Sequence, residues 1–280
     1  MYIENNSKWL FKYMPFNLNT VKLLINSELW FGKPDIQNDP NEAEFILNYG
    51  KTVQEKSRYQ FHIDEDFKSI IKETYSGKNY PTGYERIKFE KQLKERTKEY
   101  LGICSMSIKL DDILMWSHYA DCNKGICLVF NKEVLTEKLF GDKAMVDYSN
   151  TIANANFSIN GNFGELIYDT EFYFTKLDNW AYEKEFRFIR RFQELIPQKD
   201  INRTVSFPED ALIGVILGEK FPKEDFKTLM NLVYAKNPNR TFHFWRCLKN
   251  LYKQSMDITY SAESGHPFRK SPDTFLVNYF

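Results

Sequence analysis

The sequence predicts an α+β fold, with a mixed, largely antiparallel central sheet, flanking helices and a helical insertion at about residues 50–100. Three observations predict it. Short aromatic and β-branched runs recur along the chain, at 9–13, 100–107, 126–130, 185–191 and 213–218. Helical patterns separate some of these runs and not others, without the regular alternation of a doubly wound sheet. Aromatics make up 16% of the 280 residues, enough apolar surface to fill one large core. The chain is therefore expected to be a single domain over 1–280.

The elements follow in order. W-L-F-K-Y at 9–13 reads as a strand, and Asn19 or Thr20 suits the cap of a helix whose Val21, Leu24 and Ile25 share a face. Leu29–Phe31 is a second strand, ended by Gly32 and Pro34. A polar turn follows, in which Asn38-Asp39-Pro40 signals a bend and Pro40 suits the first position of a helix. Residues 85–100 read as a solvated helix with Glu/Lys pairs four apart. Beyond the core strand at 100–107, Asp111 or Asp112 caps a helix over 113–121. Strands are then expected at 126–130, 146–148, 172–176 and 185–191, with an Asn/Ser/Gly-rich loop at 150–164. The last elements are a buried strand at 213–218, a helix opened by Pro222, and strands at 241–245 and 256–260.

Bulk composition narrows the function classes. Lys plus Arg and Asp plus Glu balance at 38 each, so the whole chain lacks the basic excess usual in nucleic-acid binders. No run approaches the roughly 20 apolar residues of a membrane span, and no secretory signal opens the sequence. The four cysteines form no C-x-x-C pair. A cytoplasmic protein with reduced thiols is expected, with no membrane partner. Oligomeric state is not legible.

The densest chemistry lies in W-A-Y-E-K-E-F-R, residues 180–187. On a strand, Glu183, Glu185 and Arg187 would share one face at a spacing of roughly 7 Å. Such a row must be solvated, paired or used in a site. Adjacent carboxylates also favour a raised pKa in one of them, which suits acid–base or cation-stabilising work. The plainer reading is a solvated face with an ion pair. M-W-S-H-Y-A at 115–120 places His118 and Tyr119 towards a cleft and offers Trp116 for ring stacking, or simply packs on the sheet. Asp39 and Glu42 suit a capping arrangement, or metal or hydroxyl binding. Cys104 sits in an apolar strand and reads as inert core, while the hydroxyls of Ser105 and Ser107 share a face. The four histidines are scattered, so no metal site is expected.

The succession F-K-Y, N-D-P-x-E, C-S-x-S, M-W-S-H-Y-A-x-x-x-K-G-I-C-L-V-F, K-x-x-x-W-x-x-E-x-E-F-R and V-I-L-G resembles a large bacterial family known only as a domain of unknown function. More distantly, the order of strands is similar to that of the ADP-ribosyltransferases, with the DarT-like toxins nearest. That resemblance implies a split antiparallel sheet holding NAD in a cleft. It implies a first-strand ligand at Lys12 or Tyr13, where the family carries His or Arg. It implies a middle hydroxyl at Ser105 or Ser107, less so Tyr119. The catalytic carboxylate would be Glu185, with Glu183 and Arg187 beside it. Trp180 or Trp116 would stack on nicotinamide.

The expected function is an NAD-using ADP-ribosyltransferase or NAD glycohydrolase, acting as a toxin or phage-defence effector on a protein or nucleic-acid acceptor. One alternative is a non-catalytic module that senses a nucleotide or a phage component. Another is a nucleic-acid-processing protein, motivated by the basic stretch Arg187-Phe-Ile-Arg190-Arg191.

Overall fold

The computed structural model describes residues 7–49, 60–62, 83–160, 165–169, 171–192, 202–235, 241–250 and 255–260. Strand β1 (Trp9–Met14) leads into helix α1 (Leu18–Asn26), followed by β2 (Glu28–Trp30). The cap of α1 is Asn17, not Asn19 or Thr20: its side chain accepts from the backbone N–H groups of both. No helix starts at Pro40; residues 40–43 form a turn. Helix α2 (Gly83–Tyr100) runs directly into β5 (Leu101–Ser107). Helix α3 (Ile113–Tyr119) is capped by Asp112, the second of the two candidates, and β6 (Ile126–Asn131) and helix α4 (Lys132–Lys138) follow. Then come β7 (Asp142–Met145), β8 (Asp147–Ser149), β11 (Thr175–Leu177), β12 (Glu185–Arg191), β13 (Thr204–Ser206, paired with β2), β14 (Leu212–Leu217), helix α5 (Lys223–Tyr234), β15 (His243–Lys249) and β16 (Met256–Tyr260).

Eight of these strands form the main sheet in the order β16-β15-β14-β6-β1-β5-β12-β7. It is mixed and mostly antiparallel; β14 and β15 run parallel, and every other neighbouring pair is antiparallel. The fold is α+β, as the sequence predicts. β1 pairs fully with β6 but meets β5 at one register position, Phe11 opposite Ser107. Beyond that pair β5 turns to Gly32, which exchanges two backbone hydrogen bonds with Ile103.

Part of the expected 150–164 loop is sheet. Residues 153–160 form β9 (Ala153–Asn160), which pairs in parallel with β3 (Phe45–Tyr49) and antiparallel with β10 (Glu165–Asp169). With β4 (Gln60–His62) these make a second, four-stranded sheet. The remainder of the expected insertion, 50–59 and 63–82, lies outside the described residues. Helix α2 is not wholly solvated: Phe89 and Leu93 are buried with Phe45, Leu47, Leu101, Ile103 and Ile189.

The alternation of strand side chains divides the core between the two faces of the main sheet. One face carries Leu10, Cys104, Met106, Leu128, Phe186 and Phe188 under α1, α4 and α5. The other carries Phe11, Tyr13, Cys127, Val129 and Trp245 under α3, and separately the cluster against α2 and the second sheet. On that second face, Ser105, Ser107, Glu185 and Arg187 separate the two apolar clusters along β5 and β12.

Candidate functional site

The polar centre begins with the pairing of β12 and β5, which sets Glu185 opposite Ser107 and Arg187 opposite Ser105. Opposed residues in an antiparallel pair share a face, so these four side chains stand together. Arg187 is fully buried and Glu185 is 2% exposed. The guanidinium is saturated. Nε donates to Glu185 at 2.8 Å, Nη1 to Glu42 and the Tyr173 carbonyl at 2.6 Å each, and Nη2 to Glu42 and Glu185 at 3.0 Å each. That accounts for all five donors of an arginine. Arg187 thus clamps two carboxylates bidentately and has no donor left for a ligand.

The chain reaches Glu183 by a different geometry from the expected strand. Residues Asp178–Glu183 form a 3-10 turn, closed by Lys184 at φ 44, in the left-handed region. Glu183 nevertheless lies beside the row, because Lys176 joins them: its Nζ is 2.7 Å from Glu183 Oε2 and 3.5 Å from Glu185 Oε2. Lys176 is set by the parallel pairing of β11 with β8, where it stands opposite Tyr148. The Tyr148 hydroxyl accepts the Glu185 backbone N–H at 2.9 Å. The other oxygen of Glu183 accepts from the Tyr119 hydroxyl, which in turn accepts from Asn38 Nδ2.

Five buried charged groups therefore run in series, Glu42, Arg187, Glu185, Lys176 and Glu183. Three carboxylates against two cations leave one excess negative charge if all ionise. The electrostatics divide the carboxylates accordingly. Burial pushes Glu185 up, but Arg187, Lys176 and the Ser105 hydroxyl outweigh it and bring the carboxyl down to about 2. Burial pushes Glu183 up, and Lys176 and Tyr119 offset only part of that. Glu42 is raised for the same reason against Arg187. Lys176 loses affinity for its proton through burial, but Glu185 and Glu183 more than restore it.

Glu183 is itself buried, but its neighbours are less so. His118 is exposed, with Nδ1 3.0 Å from the Tyr182 hydroxyl, and Tyr119, Tyr182 and Trp180 are half-buried. Trp180 and Tyr182 lie with ring centres 6.3 Å apart, and Lys176 Nζ stands 4.8 Å from the Trp180 centroid. An ionisable carboxylate backed by a cation, with a hydroxyl on one oxygen and a rim of rings, can stabilise a developing positive charge or exchange a proton.

The other expected residues fall elsewhere. Lys12 is on the opposite face of the main sheet, with Nζ 3.2 Å from the Ser105 carbonyl and 3.7 Å from Cys104 Sγ. Register puts Tyr13 on the Glu185 side, but its buried hydroxyl donates to the Lys109 carbonyl at 2.8 Å. Trp116 is fully buried and its indole N–H donates to the Leu110 carbonyl at 3.1 Å, so it is core rather than a stacking surface. The Ser107 hydroxyl donates to the Glu183 carbonyl at 2.6 Å and accepts from the Lys109 N–H. Because Arg187 is buried, the 187–191 stretch is not a continuous basic surface.

Sequence reasoning did not place Glu42, Lys176, Asn38, Tyr148 or Tyr182 in the centre. Four of them lie in motifs visible in the sequence, Asn38 and Glu42 in N-D-P-x-E, Lys176 in K-x-x-x-W and Tyr182 in W-A-Y-E-K-E-F-R. Asp39 does take the turn role, accepting from the Asn41 N–H at 2.9 Å, whereas Glu42 leaves the turn for Arg187. Among the described residues, no group of three His, Cys, Asp or Glu is placed to hold a metal ion, and no helix is long and apolar enough to cross a membrane.

Comparison with curated proteins and with solved structures finds no match. Residues 115–188 match the model of a family described as a protein of unknown function (DUF2971), a stretch that takes in His118, Tyr119, Lys176, Trp180, Glu183, Glu185 and Arg187.

Proposed function

We propose that this chain cleaves the N-glycosidic bond of a nucleotide, with NAD the first candidate, as an ADP-ribosyltransferase or NAD glycohydrolase. In this reading Glu183, rather than Glu185, meets the substrate. The observation that carries it is the position of Glu183. It ends the buried charge series beneath Tyr119, next to the half-buried Trp180 and Tyr182 and the exposed His118. Glu185 is enclosed and held by Arg187. Support also comes from the adjacency of β1, β5 and β12 in an antiparallel part of the sheet, with β1 and β5 meeting at a single pair. That is the arrangement the distant resemblance implies.

The chemistry is compact. The C1′–N bond of the nicotinamide riboside breaks, its electron pair leaves with the now neutral ring, and positive charge develops on the ribose. Ionised Glu183 stabilises that charge, as a carboxylate does in glycoside hydrolysis. Water or an acceptor group then attacks C1′ and gives up its proton. Trp180 offers a stacking face for the departing ring. A toxin or phage-defence role belongs to the same proposal.

The test is nicotinamide release from NAD, with protein and nucleic-acid acceptors supplied, for the wild type and Glu183→Gln. Release by the wild type and its loss in the variant are expected. Absence of both release and NAD binding sinks the reading. A second reading, a nucleotide-sensing module, is favoured by the saturation of Arg187, Ser107 and Tyr13 by internal partners. It predicts NAD binding without release, and a Glu183→Gln change in affinity alone.

A further inference from the structure

The seam between β1 and β5 holds a pair that the charged centre does not use. Past Phe11 and Ser107 the two strands no longer exchange ladder bonds, and Lys12 reaches across the gap. Its Nζ donates to the Ser105 carbonyl at 3.2 Å and lies 3.7 Å from Cys104 Sγ. The amine thus satisfies a carbonyl that a closed ladder would have satisfied, and it rests against a thiol. A thiol buried among apolar residues alone is inert. Cys104 is buried too, and burial raises its thiol pKa despite Lys12, but it has a primary amine within contact distance, on a side chain that is only half-buried.

We propose that Lys12 and Cys104 form an oxidisable pair that closes to a covalent Nζ–Sγ crosslink across this seam. A peroxide supplies the oxidising equivalents. The Cys104 sulfur attacks the O–O bond, which breaks to give a sulfenic acid and one water. The deprotonated Lys12 amine then attacks the sulfenic sulfur, and hydroxide leaves as a second water. The sulfur is oxidised by two electrons, the peroxide is reduced by two, and the ammonium form of Lys12 releases one proton to solvent. The product is a sulfenamide, two hydrogens lighter than the free pair, and excess thiol reverses it. It ties β1 to β5 directly behind Ser105, whose hydroxyl supports Glu185. The pair stands on contact geometry alone and does not depend on the NAD reading.

The test is hydrogen peroxide treatment of the full chain, then proteolysis and mass spectrometry with and without thiol reductant. Exposed Cys122 reports that oxidant was delivered. The expected result is a peptide pair joining Lys12 to Cys104, lighter by two hydrogens, lost on reduction and absent in Lys12→Arg. The proposal is overturned if Cys122 oxidises while Cys104 stays a free thiol. It is equally overturned if Cys104 oxidises without joining Lys12.

Discussion

The two ends of the buried charge series differ in what each carboxylate is free to do. At the inner end, Glu42 and Glu185 grip the two sides of one guanidinium and have almost no exposure. At the outer end, Glu183 is held by one lysine and one tyrosine, and its neighbours reach solvent. Both ends are buried and charged, yet only the inner one closes on itself. Burial of charge is therefore not by itself the mark of a working group. The informative feature is a carboxylate with a raised proton affinity next to an open rim. The inner clamp fixes β12 against the 40–43 turn and so sets where the outer carboxylate stands.

The largest expected effect comes from breaking the clamp. Arg187→Met leaves Glu42 and Glu185 facing each other without a buried cation between them. A loss of about 3–5 kcal/mol in urea unfolding at neutral pH is expected. The same variant should reverse the Glu185 contribution to the pH dependence of stability, while Glu42 and Glu183, raised already in the wild type, favour lower pH in both proteins. In the wild type, Glu185 has a folded pKa of about 2, below the unfolded carboxylate value of about 4.3. Its stabilisation is present above the unfolded value and lost as pH falls towards 2. Without Arg187 burial dominates and the folded values rise above the unfolded one. Stability should then increase as pH is lowered from neutral into the carboxylate range. The difference between wild type and variant in unfolding free energy, compared at pH 4 and pH 7, reads the Glu185 contribution; a difference that does not shrink on going from pH 7 to pH 4 would contradict the clamp.

Smaller effects sharpen the outer end. Tyr119→Phe removes a hydrogen bond to the ionised form of Glu183, at a cost of about 0.5–1.5 kcal/mol. It should raise the Glu183 pKa further and move the acid limb of the pH–activity profile upward. An unmoved limb would detach Tyr119 from the reacting carboxylate. Trp180→Ala removes a ring that Lys176 contacts, worth about 0.5–1 kcal/mol at a half-exposed site. In activity it should raise KM for NAD more than it lowers kcat, as expected for a lost stacking surface.

Much of the frame was legible because it is local. F-R-F-I marks β12 and I-C-L-V-F marks β6 by composition alone, and the Asp111-Asp112 pair announces α3 by its capping position, the structure choosing Asp112. The second sheet was hidden for a physical reason. A-N-A-N-F-S-I-N at 153–160 is asparagine-rich and poor in strand formers, and it is drawn into a sheet by parallel pairing with β3. Glu183 and Glu185 have the spacing of one strand face, but the left-handed Lys184 that separates the 178–183 turn from β12 leaves no trace in composition. The clamp was least legible of all. Glu42 and Arg187 are 145 residues apart, and nothing local in N-D-P-x-E distinguishes a capping glutamate from one that leaves its turn. Register, once seen, decided the rest by sending Lys12 to the far face and Tyr13 to the near one.

The central claim is that Glu183 works while Glu185 holds. Glu183→Gln removes the excess negative charge and leaves two carboxylates against two cations, so its stability should stay close to that of the wild type. The direct measurement is Tm and nicotinamide release on Glu183→Gln and Glu185→Gln in parallel. The account predicts that Glu183→Gln melts within about 3 °C of the wild type and loses about a hundredfold or more in release. Glu185→Gln is predicted to melt well below both. A Glu183→Gln protein that releases nicotinamide at the wild-type rate, or a Glu185→Gln protein that is fully stable and inactive, would contradict it.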